Sequence, residues 1–198
     1  MRNDCLRAGL TGAILVALAA CASTPAPQSG TTAPLPAPAV PATPPVSTAS
    51  GATITLAPAS GSLVSGKLTA SPIAGGVRLT GEIGGLPGDS THAIHIHEKG
   101  DCSAADATSA GGHFNPSQQA HGRAGSGPHH GGDMDNIVAD ANGVARVDVR
   151  ALGVTLGGGA TDIGSRAVVV HAMPDDYATQ PAGNAGARVA CGVIKLVP

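Results

Sequence analysis

Short segments in which apolar and polar side chains alternate recur from about residue 51 to the end of the chain. In one of the clearest, Val77, Leu79 and Ile83 alternate with polar residues, which is the pattern of a strand with one buried face. Turn-forming residues separate the segments, and Asn142-Gly143 is a strong β-hairpin signal. Eight strands are predicted, at residues 53–57, 63–70, 77–83, 92–97, 136–139, 144–149, 166–171 and 188–197. The predicted fold is all-β, an eight-stranded antiparallel Greek-key β-barrel or sandwich.

Two long irregular segments interrupt the predicted strands, at residues 98–135 and 172–187. Loops of this length in a compact domain are usually either functional or disordered. The first of them contains four of the eight histidines of the chain. We therefore expect two long functional loops on the β scaffold.

The first 50 residues differ in composition and are predicted to lie outside the folded domain. Arg2 and Arg7 precede an apolar stretch at residues 13–20 that is too short to span a bilayer, as in an export signal peptide. The tetrapeptide Leu-Ala-Ala-Cys that ends at Cys21 resembles the lipobox of bacterial lipoproteins, in which the cysteine is lipidated. An ordinary secretory signal is the alternative. The predicted organisation is a lipoprotein signal peptide at 1–20, a disordered tether rich in Pro, Ala and Thr at 21–50, and one folded domain at 51–198.

Charge and cysteine content narrow the class of protein further. The formal net charge is -2, so the chain has no basic footprint for nucleic acid, and no nucleic-acid partner is expected. If Cys5 is removed with the signal peptide and Cys21 carries lipid, Cys102 and Cys191 remain. Two thiols in an oxidising compartment allow one disulfide, and two buried free thiols are the alternative.

A pair of histidines suggests metal chemistry. His95 and His97 are two positions apart in a β-prone segment, so their side chains share one face of the strand while Ile94 and Ile96 point to the other. Two imidazoles on one face are half of a metal site. Other candidate ligands follow in the loops, namely His113, His121, His129, His130, Asp133 and His171. His92 lies on the side of the isoleucines, and we expect it to form structural hydrogen bonds.

Four motifs carry a resemblance to a known family. His-Ile-His-Glu-Lys-Gly-Asp, Gly-Gly-His-Phe-Asn-Pro, Val-Val-Val-His-Ala-Met-Pro-Asp-Asp and Gly-Ala-Arg-Val-Ala-Cys-Gly-Val-Ile are similar, in the same order, to the signatures of copper/zinc superoxide dismutases. The resemblance extends over essentially all of residues 51–198. Cys102 directly after Asp101 resembles the exported bacterial branch of the family, which fits the lipoprotein-type signal.

The resemblance implies a set of site residues. It implies copper ligands His95, His97, His113 and His171, and zinc ligands His113, His121, His130 and Asp133. The family spacing His-x-x-Asp selects His130, with the adjacent His129 as the alternative. Asp175 matches the aspartate that links a copper histidine to a zinc histidine, and Arg188 matches the arginine beside the open copper position, where it would attract the anion.

The resemblance also implies the activity. It implies one copper and one zinc per subunit and the dismutation of superoxide to dioxygen and hydrogen peroxide, with copper cycling between Cu(II) and Cu(I). Zinc would hold the bridging His113, which takes up a proton, so that His113 and Arg188 are the expected catalytic residues. We expect a periplasmic protein, lipid-anchored to the cell envelope at the outer membrane, that protects the envelope from superoxide. A metal buffer or delivery module and a copper-only relative are alternatives, and the sequence leaves monomer or homodimer open.

Overall fold

The computed structural model describes residues 46–197. The predicted signal peptide, the predicted lipidation site at Cys21 and most of the predicted tether lie outside the described residues. Among residues 46–197, no helix is long and apolar enough to cross a membrane.

Nine strands make up the described domain. They are β1 (Gly51–Pro58), β2 (Ser65–Ile73), β3 (Gly76–Gly84), β4 (Thr91–His92), β5 (Ile94–His97), β6 (Ile137–Val138), β7 (Ala145–Leu152), β8 (Ala167–His171) and β9 (Arg188–Val197). Seven of them form one antiparallel sheet in the order β5-β8-β9-β1-β2-β3-β7, and β4 pairs with β6. The chain crosses between the two edges of the large sheet after β3, after β5 and after β7, as in a Greek key. The predicted all-β antiparallel fold is confirmed.

The structure divides one predicted strand. Residues 92–97 were expected to form a single strand, whereas the structure has β4 and β5 with Ala93 between them. At Ala93 the carbonyl accepts from the N–H of His171, at the end of β8, whereas the N–H donates to the Met173 carbonyl in the second long loop. The chain therefore changes partner at this position, from β6 to β8, and nine strands replace the predicted eight.

The core is aliphatic and follows the alternation of the strands. In β1 and β7 nearly every second side chain is buried, and the largest buried residues include Ile54, Leu68, Leu79, Ile83 and Ile194. Ile94 and Ile96 of β5 belong to the same apolar cluster. Burying a large aliphatic side chain stabilises the fold by about 1.5–3 kcal/mol. The two isoleucines therefore hold β5 in a register that places His95 and His97 on the opposite face.

Two long segments cover that opposite face. Residues 98–136 contain one short 3₁₀-helix, Thr108–Ala110, and residues 172–187 contain no strand or helix. His95 and His97 are nevertheless 0% and 1% exposed. Since the core lies on the isoleucine side, these loops are what shields the histidines from water.

Described contacts begin shortly before β1. The N–H groups of Thr48 and Ala49 donate to the Leu156 carbonyl over 2.9 and 3.0 Å, and Leu156 N–H donates to Ser47 Oγ over 2.9 Å. Hydrogen bonding to the domain thus starts four residues ahead of the predicted boundary at residue 51.

A disulfide joins the first loop to the sheet. Cys102 and Cys191 are bonded with a Cα–Cα distance of 5.7 Å, which confirms the predicted pairing over the alternative of free thiols. Cys191 lies in β9, three residues after Arg188. The bond therefore ties the beginning of the first long loop to the strand that carries this arginine.

Removal of the disulfide is expected to destabilise the domain. It links positions 89 residues apart, and closing a loop of that length stabilises a fold by about 4 to 5 kcal/mol in the chain-entropy model. We predict that replacing both residues, Cys102→Ala with Cys191→Ala, lowers the free energy of unfolding of the metal-free protein by about this amount, as measured by urea denaturation. Wild-type protein treated with a reductant is the matched control. A double variant with the wild-type midpoint would contradict the prediction.

Candidate metal centre

The sheet brings three histidines together at one place. His95 lies opposite Val169 in the pairing of β5 with β8, and the register of β8 against β9 shifts between Val170 and His171. The ring centroids of His95 and His171 are 5.1 Å apart. Nε2 of His97 and Nε2 of His171 face each other at 3.4 Å.

His113 completes this group from the first loop. It forms an isolated antiparallel bridge with His97, and its ring centroid is 4.0 Å from that of His95. One ring nitrogen from each of the four residues His95, His97, His113 and His171 lies within 4.8 Å of the others. The structure thus brings together all four residues that the resemblance implied for copper.

The ring nitrogens that point into this first cluster can offer lone pairs. Nδ1 of His97 donates to the Gly111 carbonyl over 2.9 Å and Nε2 of His95 donates to Asp175 over 2.9 Å. In a neutral imidazole with one nitrogen donating, the other nitrogen carries no hydrogen and can bind a metal. His95 Nδ1 and His113 Nε2 are buried without a hydrogen-bond partner in the described part of the chain. Buried polar atoms are rarely left unpaired. A bound cation would satisfy them, and an all-imidazole set suits copper.

His113 also belongs to a second cluster. Its other nitrogen, Nδ1, lies 2.8 Å from Asp133 Oδ1 and 3.4 Å from His130 Nδ1. His121 Nδ1 and His130 Nδ1 are 3.0 and 3.3 Å from the same carboxylate oxygen. Zinc bonds of about 2.0–2.1 Å in a tetrahedron put neighbouring ligand atoms about 3.3 Å apart. Three imidazoles and one carboxylate at these separations fit zinc.

The structure distinguishes the two adjacent candidates for the fourth zinc position. His130 is buried in the second cluster. Nδ1 of His129 instead donates to the His130 carbonyl over 2.8 Å. The His129 side chain lines a pocket together with Pro116 and Leu152. His92 is in neither cluster, since its Nδ1 bonds to the His171 carbonyl over 2.8 Å.

Asp175 joins the two clusters from the second loop. Its Oδ2 is 2.9 Å from His95 Nε2 and its Oδ1 is 2.9 Å from His121 Nε2. Asn136 holds the backbone of Asp175 at both ends, because its Nδ2 donates to the Asp175 carbonyl over 2.9 Å and its Oδ1 accepts from the Asp175 N–H over 2.8 Å. Asn136 was not predicted from the sequence, since an asparagine before a short strand carries no signal of such a partner 39 residues away.

The two clusters differ in their electrostatics. Burial lowers the pKa of His97 to about 2, that of His171 to about 3 and that of His113 to about 4 in the metal-free protein. These imidazoles are therefore neutral at physiological pH, which is the form that binds a metal. His97, His171 and His113 can therefore each offer a ligand nitrogen without first releasing a proton.

In the second cluster, hydrogen bonds between histidines and carboxylates outweigh the effect of burial on charge. Burial disfavours the charge of Asp133, but hydrogen bonds from His113, His121 and His130 outweigh burial and hold its pKa well below the usual range. Burial also opposes the charge of His121, yet its hydrogen bonds to Asp133 and Asp175 raise its pKa to about 9. In the metal-free protein His121 is thus protonated, and its positive charge takes the place of part of the charge of a bound cation.

Arg188 lies beside the first cluster. Its guanidinium donates to the Ala107 carbonyl and to the Gly111 carbonyl, each over 2.7 Å, and Gly111 is also the partner of His97 Nδ1. Burial lowers the pKa of Arg188 from its ordinary value, but a guanidinium remains charged in proteins. The structure therefore holds a half-buried positive charge next to the four imidazoles.

A backbone junction connects the three segments that carry the clusters. Ile96, between His95 and His97, donates its N–H to the Gly132 carbonyl over 2.9 Å and accepts from Phe114 N–H over 2.8 Å. Gly132 N–H donates to the Phe114 carbonyl over 2.9 Å. A Cβ at Gly132 would collide with the Ile96 carbonyl oxygen. Only glycine allows the three segments to approach this closely.

Comparisons with known proteins support the assignment of copper and zinc to the two clusters. The family model described as copper/zinc superoxide dismutase matches residues 64–194. "Superoxide dismutase [Cu-Zn] 1" of Aquifex aeolicus is 46% identical over 124 residues, 61% of this chain and 73% of that protein. "Superoxide dismutase [Cu-Zn]" of Caulobacter vibrioides is 44% identical over 137 residues, 66% of this chain and 78% of that protein.

Solved structures agree with the sequence relatives. The clock protein EA4 has a TM-score of 0.67 and 38% identity, covering 76% of this chain and 97% of that one. A SOD-like protein from Bacillus subtilis has a TM-score of 0.64 and 33% identity, covering 71% of this chain and 96% of that one.

Fold, ligand clusters and comparisons together define the class of this protein as a β-sheet metalloenzyme with two metal sites. The chain belongs to the copper/zinc superoxide dismutase family. Its enzyme class is superoxide dismutase, and its cofactors are copper and zinc.

The Gly132 junction generates a prediction about metal binding. We expect Gly132→Ala to weaken the affinity for both metals by at least about 10-fold, because the added methyl separates the segment of Asp133 from β5. Affinities would be measured by competition with a chromophoric chelator.

Gly112→Ala is the matched control for this substitution. Gly112, like Gly132, directly precedes a cluster residue, here His113, but a Cβ at Gly112 would meet no atom within 4 Å. Equal metal affinity in both variants and wild type would show that the junction does not position the ligands.

Proposed function

We propose that this enzyme converts two superoxide ions and two protons into dioxygen and hydrogen peroxide at the paired clusters. His95, His97, His113 and His171 would hold copper, while His113, His121, His130 and Asp133 would hold zinc. The observation that supports this most strongly is that the two nitrogens of a single ring, His113, face two separate four-ligand sets. Copper supplies one-electron redox chemistry by alternating between Cu(II) and Cu(I), and zinc holds the shared histidine in place.

The residues around the clusters have separate tasks in this proposal. Arg188 would attract superoxide and orient it, because it places a permanent charge beside the first cluster. His113 would take up a proton at Nε2, the buried nitrogen that has no protein partner, and release it to the reduced oxygen species. Asp175 would keep His95 in the tautomer that presents Nδ1, because its carboxylate accepts from Nε2.

We also propose that the protein acts in the bacterial cell envelope, anchored through a lipid on Cys21 in the periplasm at the outer membrane, and protects the envelope from superoxide. The lipobox-like tetrapeptide supports this, as does the disulfide between Cys102 and Cys191, because disulfides persist in oxidising compartments.

Substitution of a copper-set histidine tests the catalytic proposal. We expect His97→Ala to lose copper binding and superoxide scavenging while it retains zinc, because His97 belongs only to the first cluster. Metal content and a gel-based scavenging assay measure the two effects. His129→Ala is the matched control, since His129 lies in neither cluster.

Two outcomes would go against this assignment. Normal turnover by His97→Ala would remove this residue from the copper site. Wild-type protein that binds both metals but does not scavenge superoxide would favour the metal-buffer alternative.

The role of Arg188 generates a separate kinetic prediction. We expect Arg188→Ala to reduce kcat/KM about 10-fold and to flatten its dependence on ionic strength, with unchanged metal content, because the local attraction for the anion is lost. Arg78→Ala removes the same charge from β3, where Arg78 pairs with Asp148 at the surface, and should leave the rate nearly unchanged. An unaltered salt profile in Arg188→Ala would contradict steering by this residue.

The envelope proposal has its own test. Cells grown with a labelled fatty acid should incorporate label into the wild-type protein and not into Cys21→Ser, and the variant should leave the membrane fraction. Unlabelled wild-type protein would point to an ordinary secretory signal.

A further inference from the structure

Gln180 in the second loop contacts the backbone of a residue of the zinc cluster. Its Oε1 accepts from the His121 N–H over 2.9 Å, and its Nε2 donates to the His121 carbonyl over 2.9 Å. One side-chain amide thereby satisfies both backbone groups of His121, as a neighbouring strand would. Reversing the amide would set donor against donor and acceptor against acceptor, so the pairing defines its orientation.

His121 needs an external partner of this kind. It lies in the irregular part of the first loop, outside any strand or helix, and the residue is only 4% exposed. Buried backbone groups outside regular structure must find partners in side chains or water. Gln180 is 59 residues away in sequence, so the pairing joins the second loop to the first.

The second loop presents Gln180 from a closed turn. Asp176 Oδ1 accepts from the N–H groups of Ala178 and Thr179 over 2.9 and 2.8 Å, and Asp176 and Gly183 bond across the turn over 3.0 Å. The Gln180 amide has a third contact, from Nε2 to the Ala178 carbonyl at 3.3 Å. The turn therefore limits the positions that the amide can adopt.

The Gln180 pairing complements the contact made by Asp175. Asp175 orients the His121 ring through Nε2, but a ring on an unsupported backbone could still shift relative to Asp133. We propose that Gln180 is a positioning residue for the zinc site, which fixes the His121 backbone so that Nδ1 remains within ligand distance of Asp133 and His130. The inference rests on the proposed assignment of zinc to this cluster.

Gln180→Met tests the inference, because methionine keeps the length of the side chain and removes both hydrogen bonds to the His121 backbone. We expect the zinc affinity of this variant to fall about 10-fold. This is the lower end of the loss in metal affinity that follows removal of a residue that orients a metal ligand. We also expect the ligand-field absorption of Co(II) bound in place of zinc to change in position or intensity. Gln119→Met is the matched control, since Gln119 is exposed and its side-chain amide donates to the Ser117 carbonyl within its own loop.

The outcomes separate this inference from the assignment on which it rests. The inference is supported if Gln180→Met binds zinc more weakly and has an altered Co(II) spectrum, while Gln119→Met behaves like wild type. If Gln180→Met has the same zinc affinity and the same Co(II) spectrum as wild type, the positioning role is overturned and the zinc assignment stands. Wild-type protein that binds no zinc overturns both the inference and the zinc assignment.

Discussion

The sharing of one imidazole between two ligand sets is the constraint on which the rest of the structure depends. His113 can face both clusters only if its segment lies between β5 and the segment of Asp133. The backbone bonds among Ile96, Phe114 and Gly132 create that arrangement. Because each of these three residues is adjacent to a cluster residue, main-chain hydrogen bonds bring the candidate ligand residues together without a metal.

The sheet and the loops contribute different chemistry to the two sites. The sheet supplies most of the first cluster, and burial keeps the imidazoles of His97 and His171 neutral. The first loop supplies the second cluster around a carboxylate, Asp133, whose negative charge is stabilised by three histidines. A redox ion with nitrogen ligands and an inert ion with one carboxylate ligand are the two chemistries that this division suits.

The second loop connects these environments. Asp175 bonds to one histidine of each cluster, and Gln180 holds the backbone of His121. The disulfide and Arg188 attach the beginning of the first loop to β9 in a similar way. Long irregular segments can therefore carry a defined site, because each is tied to a strand or to the other loop at several points.

Sequence reasoning was most successful where the information is local. Alternation located the strands, and the motifs identified every residue of the two clusters. The prediction of strands from alternation failed at Ala93, where a hydrogen bond to a distant loop divides a strand. Asn136, Gly132 and Gln180 could not be found either, because their importance lies in contacts with residues far away in the chain. A glycine or an amide of this kind is recognisable only when its spatial neighbours are known.

The shared ring of His113 can be tested directly by loading both sites with Cu(II) and recording the electron paramagnetic resonance spectrum. We expect magnetic coupling between the two ions, because a single imidazole bonded through both nitrogens would link their unpaired electrons. Two independent, uncoupled Cu(II) spectra from fully loaded protein would show that His113 is not shared.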